Sequence, residues 1–270
     1  MSTVHTVTSA DGTRIAVDRS GAGPALVLVS GALGSRLFPE PLVPALEPHF
    51  TVYSYDRRGR NDSGDNPPYA VGREIEDLAA VIEDAGGSAF LHGMSSGAVL
   101  ALRAAAAGLP VTQLTLYEPP FLTDDSRPPL PDDYVQRLDE LIAAGQRGEA
   151  VTYFMTMAVG VPEEFLGPLR ESPMWPGMEA VAHTLAYDGR VMGDTMSGKP
   201  LPAEWSSVTV PTTVIAGERS EPFMHRGTQA LADLLPNAVH RVLPGQDHNV
   251  DPAALAPVLR QELLAPQKRS

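Results

Sequence analysis

Hydrophobic and polar positions follow two alternating patterns along most of this chain. Short apolar runs typical of buried strands occupy residues 25–30, 50–55, 88–92, 113–118, 212–216 and 239–243. Apolar residues at helical spacing occupy Leu42–Leu46 and residues 72–85, 95–107, 227–235 and 253–264. Because strands and helices take turns, the pattern predicts an α/β fold with a mostly parallel, doubly wound sheet.

Two segments depart from this alternation. Near the amino terminus, residues 4–8 and 13–18 flank Asp11-Gly12, which is a two-residue hairpin signal. Between residues 121 and 207, prolines cluster and amphipathic helical stretches such as 134–144 occur with no convincing strand between them. We therefore predict a core formed by residues 1–120 and 208–270, with residues 121–207 as a helical cap insertion.

Composition narrows the function classes. The net charge of −13 works against binding to nucleic acid or to an anionic membrane. The absence of cysteine excludes disulfides, a thiol nucleophile and thiolate-bound zinc. No signal-peptide pattern and no apolar run near 18 residues is present, which favours a cytoplasmic protein. No metal-binding, Walker or dinucleotide motif appears, so we expect no cofactor and no metal.

The segment with the clearest chemistry is a G-x-S-x-G pattern at residues 93–97, between a predicted strand and a predicted helix. A nucleophile held in such a sharp turn needs small residues two positions to either side. Ser95 has glycines at both positions and is the predicted nucleophile. Ser96 would have Met94 and Ala98 there instead, so its predicted contribution is a backbone N–H at the helix start, which can stabilise an oxyanion.

Two further groups complete this chemistry. The small residues after the strand at 25–30 let backbone N–H groups face a ligand, and the Ala32 N–H is the predicted second oxyanion donor. The general base should lie on a loop after the last strand, where His248 follows residues 243–247. The other histidines fit this position worse, because they lie in or beside predicted strands, next to a helix, in the insertion or before the G-x-S-x-G turn.

Together, the order of strands, the G-x-S-x-G turn, the charged loop at residues 56–63 and the loop carrying His248 resemble the α/β-hydrolase superfamily over nearly the whole chain. The resemblance implies an eight-stranded core, a helical cap over the active site, and a Ser-acid-His triad in that chain order. One departure is Ser30-Gly31, where many members have His-Gly. We expect this change to be tolerated because the backbone supplies the oxyanion donor.

The triad acid is the second departure. The usual position after the seventh strand has Ser220 where most members carry aspartate, with Glu218 and Glu221 as adjacent alternatives. In some members, including certain haloalkane dehalogenases, the acid follows the sixth strand instead, and Glu118 stands at that place. We favour Glu118, because a carboxylate at the end of a buried strand needs a partner such as an imidazole N–H.

These residues predict acyl transfer to Ser95 from an ester, lactone or thioester of a small hydrophobic molecule. Alternatives on the same scaffold are a non-hydrolytic cyclisation or elimination in natural-product assembly, and a ligand-binding receptor with a vestigial triad. Arg57 and Arg58 suit structural salt bridges better than an acidic substrate group. A homodimer would be unsurprising. Candidates for substrate contact are Leu33, Met94, Phe121, Phe154, Trp175 and His183.

Overall fold

In the computed structural model, which describes residues 3–37 and 42–265, eight strands form one sheet. The strands are β1 (Thr3–Thr8), β2 (Arg14–Gly21), β3 (Ala25–Val29), β4 (Thr51–Tyr55), β5 (Ala89–Met94), β6 (Val111–Tyr117), β7 (Thr212–Gly217) and β8 (Ala238–Leu243). Their order across the sheet is β1-β2-β4-β3-β5-β6-β7-β8. The β1–β2 and β2–β4 pairs are antiparallel and all other pairs are parallel, which confirms the predicted mostly parallel sheet.

Helices cover both faces of this sheet. The core helices are α1 (Leu42–Leu46), α2 (Val71–Asp84), α3 (Ser96–Ala106), α9 (Pro222–Leu234) and α10 (Pro252–Leu264). Val27 and Val29 of β3 belong to the apolar cluster that includes residues of α2, α3 and α9. The alternate residues Leu26 and Leu28 belong to the cluster with α1 and α10. Alternate side chains of the strand therefore pack against helices on opposite faces of the sheet, as a doubly wound sheet requires.

The hairpin loop and the start of α9 differ from the predicted ones. The hairpin strands are joined through residues 9–13 rather than by a two-residue turn, and the Ser9 N–H donates to Thr13 O at 2.8 Å. Helix α9 begins at Pro222, before the predicted start at residue 227. Gly227 lies within the helix because an added Cβ would overlap Phe121 O, so the glycine permits close packing and does not end the helix.

Between β6 and β7 the described elements are all helical. They are α4 (Tyr134–Ala143), α5 (Arg147–Phe154), α6 (Gly167–Arg170), α7 (Trp175–Val181) and α8 (Leu185–Met192), together with short 3-10 and π turns. Residues 121–207 are called the insertion below. Its helices share an apolar cluster that includes Leu138, Val151 and Leu185, and Ala32 and Leu33 of the loop after β3 pack against that cluster. The division of the chain into core and cap domains stays a prediction.

Among the helices in residues 3–37 and 42–265, none is both long and apolar enough to cross a membrane.

Candidate active site

Ser95 occupies a strained turn between β5 and α3. Its backbone has φ 56° and ψ −128°, a region that residues with a side chain rarely adopt. A Cβ added at Gly93 would lie 2.5 Å from Ala98 Cα. A Cβ added at Gly97 would overlap Val29 O of the neighbouring strand. Both glycines of the G-x-S-x-G pattern are therefore needed to fit the turn between strand and helix.

Glu118 lies beside this turn, directly after β6. The Ser95 N–H donates to Tyr117 O at 2.9 Å, which ties the turn to the end of β6. Glu118 is fully buried and has a positive φ of 46°. Its own N–H donates to Ile215 O at 2.9 Å, so the neighbouring strand β7 holds this backbone in place.

His248 lies on the loop after β8 and contacts Glu118. Its Nδ1 is 2.7 Å from Glu118 Oε2, and the other carboxylate oxygen accepts the Gly217 N–H at 2.6 Å. The His248 side chain is 38% exposed whereas the Glu118 side chain is 0% exposed. A buried carboxylate with a partner on each oxygen is satisfied, and an Nδ1–H donor leaves Nε2 free to accept a proton.

The alternative acids occupy other places. Glu218 Oε2 accepts the Gly245 N–H at 2.7 Å and so braces the turn after β8. Glu221 is exposed and stands immediately before α9. Within the described part of the chain, neither carboxylate has a hydrogen bond to His248. The structure brings Glu118 to the histidine and keeps the other two carboxylates apart from it.

Two contacts hold the loop that carries His248 against the sheet. The Tyr117 hydroxyl donates to Asp247 O at 2.6 Å. A Cβ added at Gly217 would lie 2.6 Å from Gln246 O, so the loop crosses closely over the end of β7. Tyr117, which precedes Glu118, therefore also positions Asp247, which precedes His248.

The loop after β3 approaches Ser95 from the other side. A Cβ added at Gly31 would lie 3.0 Å from Ser95 Cβ. In residues 3–37 and 42–265, the backbone N–H groups of Ala32 and Ser96 have no acceptor. Leu33 has φ 59°, another positive value for a residue with a side chain. N–H groups without an acceptor, beside the predicted nucleophile, suit the stabilisation of an oxyanion.

Ser95 and His248 are not hydrogen-bonded to each other in the described residues. Ser95 is partly exposed and so is His248, and both lie at the ends of strands on the same edge of the sheet. Contacts between a catalytic serine and its base are often long without substrate and shorten in the complex.

The paired arginines after β4 face inwards. Arg57 contacts Glu74 and Asp188, each at 2.7 Å, while Arg58 contacts Asp77 at 2.7 Å. Burial disfavours the charged form, but the carboxylates of Asp188 and Glu74 raise the pKa of Arg57 well above its ordinary value. Both guanidinium groups therefore form buried ion pairs, as expected for structural arginines.

The predicted substrate-contact residues fall into four groups. Leu33, Phe154 and Trp175 are partly exposed and pack against the apolar cluster of the insertion. Met94 is partly exposed and immediately precedes Ser95. Phe121 is fully buried, with its ring centroid 5.5 Å from that of Trp205, and its part in substrate contact stays a prediction.

His183 belongs to a different cluster. Its Nε2 is 4.0 Å from Asp65 Oδ2, and Arg147 Nη1 lies 3.5 Å from its Nδ1. Burial and the nearby Arg147 charge lower the pKa of His183. No hydrogen bond joins it to Ser95 or His248 within the described residues, so its part in substrate contact stays a prediction.

Three residues that the sequence did not single out contribute to this region. Tyr117 holds the loop of His248, while Arg60 and Asp188 contact the residues around the two unpaired N–H groups. The charged stretch at residues 56–63, directly after a buried strand, was the available signal for Arg60. No local pattern connected them with Asp188 in the insertion.

In the part of the chain that the structure describes, no group of three or more His, Asp or Glu side chains is arranged to hold a metal ion.

The chain is similar to a known family and to solved structures. The model of the "Alpha/beta hydrolase family" matches residues 26–258. A crystal structure of an alpha/beta hydrolase from Sphaerobacter thermophilus is 56% identical, has a TM-score of 0.90, and covers 96% of this chain and 100% of that chain.

More distant structures share the fold. A carboxylesterase from Bacillus subtilis is 18% identical, with a TM-score of 0.68 and coverage of 98% of this chain and 92% of that chain. An enol-lactonase from Burkholderia xenovorans is 19% identical, with a TM-score of 0.71 and coverage of 97% and 100%.

Proposed function

Because this chain belongs to the alpha/beta hydrolase family, we propose that it is a serine hydrolase acting on an ester, lactone or thioester of a small hydrophobic substrate. The observation that carries the proposal is the 2.7 Å contact between His248 and the buried Glu118, beside the strained turn of Ser95. Two distant structures are named as a carboxylesterase and an enol-lactonase, which supports an ester or a lactone as the substrate.

In this mechanism, Ser95 Oγ attacks the substrate carbonyl and His248 Nε2 takes its proton. Glu118 holds the imidazole by Nδ1 and stabilises the imidazolium that forms. The N–H groups of Ala32 and Ser96 stabilise the oxyanion of the tetrahedral intermediate. His248 then returns the proton to the leaving group, and a water activated by the same histidine hydrolyses the acyl-enzyme.

A hydrophobic substrate is favoured because most of the predicted contact residues are partly exposed apolar side chains. Leu33, Phe154 and Trp175 are partly exposed apolar side chains that share one cluster, and Met94 adjoins Ser95. Arg57 cannot bind an acidic substrate group without leaving a buried carboxylate unpaired, which is costly. We therefore propose that these apolar residues contact the acyl or leaving group.

The experiment that tests the proposal is intact-mass spectrometry after incubation with a small fluorophosphonate. The wild type should gain one adduct, Ser95→Ala should gain none, and His248→Ala should be labelled at least about 100-fold more slowly because its serine lacks a base. Ser96→Ala is the matched control and should still be labelled, since it keeps the nucleophile. A folded wild type that gains no adduct would contradict an activated serine and would favour a non-acylating or binding role.

A further inference from the structure

The loop after β4 places a buried arginine against the predicted oxyanion loop. Arg60 is 1% exposed, and its Nη1 donates to Gly31 O at 2.6 Å. The same nitrogen lies 3.4 Å from Gly34 O, so one guanidinium spans the loop after β3. None of these contacts involves Ser95 or His248.

The carbonyl of Gly31 and the N–H of Ala32 belong to one peptide group. A trans peptide is planar and its oxygen and hydrogen point in opposite directions. A donor that holds the Gly31 oxygen therefore also fixes the direction of the Ala32 N–H. A cationic donor on the oxygen polarises the peptide as well, which makes the N–H a stronger donor.

Asp188 of α8 connects this arginine with Ser96. Its Oδ2 binds Arg60 at 2.7 Å and its Oδ1 binds Arg57 at 2.7 Å. The Ser96 hydroxyl donates to Asp188 Oδ1 at 2.7 Å. Ser96 is the first residue of α3, and its N–H is the other predicted oxyanion donor.

The charges in this cluster balance. Arg57 and Arg60 face Glu74 and Asp188, and all four side chains are nearly inaccessible to water. Buried charges tolerate little displacement from their partners, because water does not replace a lost contact. The cluster is therefore a rigid support behind both N–H groups.

We infer that Arg60 is a positioning residue that orients and polarises the Ala32 N–H. We also infer that Asp188 aligns Arg60 with Ser96. Both inferences rest on the proposed function. The insertion thus contributes Asp188 to the geometry of the oxyanion hole. Arg60 acts through the backbone and does not touch the substrate.

The test compares Arg60→Gln with Arg58→Gln, using p-nitrophenyl acetate as substrate at a temperature where circular dichroism shows both variants folded. Arg58 is the matched control because it is equally buried and paired with carboxylates, but has no hydrogen bond to residues 30–37, the described part of the loop after β3. Arg60→Gln should lower kcat about 30-fold with KM within about twofold, a loss below that of deleting a whole oxyanion donor. Arg58→Gln should lower Tm and leave the kcat of the folded protein within about twofold.

A trifluoromethyl ketone that forms a hemiketal with Ser95 gives a second readout, because its oxyanion occupies the same hole. Its inhibition constant should rise in Arg60→Gln by about the same factor as kcat falls. Arg60→Lys should recover part of the loss, since its ammonium can still bind Gly31 O. Equal losses of kcat in Arg60→Gln and Arg58→Gln would overturn the inference.

Amide NMR separates failure of this inference from failure of the proposed function. The ¹⁵N–¹H signal of Ala32 should move in Arg60→Gln and remain in place in Arg58→Gln, whether or not the protein turns over an ester. If the wild type hydrolyses no ester and takes up no fluorophosphonate, the proposed function fails and this signal alone decides the inference. An unmoved Ala32 signal in Arg60→Gln would overturn it.

Discussion

Glu118 is a buried carboxylate whose two oxygens have different partners. One oxygen contacts His248 and the other accepts the Gly217 N–H. Like Ser95 and Leu33, it has a positive φ although it is not glycine. Such backbone conformations cost about 1–3 kcal/mol each and persist only where surrounding contacts hold them. Strain at three positions of one site is typical of a functional site.

Glu118→Gln is expected to lower kcat/KM for p-nitrophenyl acetate by about 10²–10⁴-fold. The new amide cannot accept from both partners, so either the Gly217 N–H loses its acceptor or His248 faces an NH₂ group and takes the wrong tautomer. Glu218→Gln and Glu221→Gln are the matched controls and should stay within about threefold of wild type. A larger loss in either control than in Glu118→Gln would contradict the assignment of the acid.

Strand ends assemble the candidate site. Ala32 follows β3, Ser95 follows β5, Glu118 follows β6 and His248 follows β8. The carboxyl ends of parallel strands meet at one edge of a sheet, which is where open α/β sheets bind their ligands. Residues separated by 130 positions, as Glu118 and His248 are, can therefore meet within hydrogen-bonding distance.

The end of β6 offers a test at this scale. Tyr117→Phe removes the hydroxyl that donates to Asp247 O, so we expect a loss of about 1 kcal/mol in the free energy of unfolding and a fall of about threefold in kcat as the loop of His248 loosens. Tyr55→Phe is the matched control. Within the described residues the buried Tyr55 hydroxyl has no partner, so its removal should leave stability equal or higher.

Urea unfolding followed by circular dichroism measures both tyrosine variants. Equal stability of Tyr117→Phe and Tyr55→Phe would show that the hydrogen bond to Asp247 contributes nothing to holding this loop.

At the scale of the whole molecule, one ion cluster joins the core to the insertion. Glu74 of α2 accepts from Arg57 at 2.7 and 2.8 Å, and the Tyr69 hydroxyl donates to it at 2.8 Å. Asp188 of α8 binds the same arginine. A core helix and an insertion helix thus share one buried cation, so removing either carboxylate affects both parts of the chain.

Glu74→Gln should lower the free energy of unfolding by about 3–5 kcal/mol, because Arg57 then lacks a full counter-charge in the interior. Glu140→Gln is the surface control: its ion pair with Arg137 has both side chains 51% exposed, and its loss should cost no more than about 1 kcal/mol. Denaturant titrations of both variants at pH 7 give the comparison. If both substitutions lowered the free energy of unfolding by a similar amount, the buried ion pair of Glu74 would contribute no more to stability than the exposed pair of Glu140.

Local patterns along the chain were enough to predict the sheet, its flanking helices and the sharp turn at Ser95. A strand buried on both faces needs a continuous apolar run, a helix needs apolar residues at its own spacing, and a sharp turn around Ser95 needs Gly93 and Gly97. Each of these requirements concerns residues close together in the chain. The hairpin loop was missed because the Asp11-Gly12 pattern does not reveal the hydrogen bond from the Ser9 N–H to Thr13 O. The start of α9 was missed because the helical pattern was followed only from Gly227.

Contacts between distant residues required the tertiary structure. Three glutamates follow strands near the predicted site, and only the path of the loop after β8 decides that His248 reaches Glu118. Arg60 and Asp188 are 128 positions apart, and no periodicity links them. Packing also buried Phe121 in the core. A side chain's partners depend on how separate elements pack, because burial leaves each charge only the neighbours that the fold brings to it.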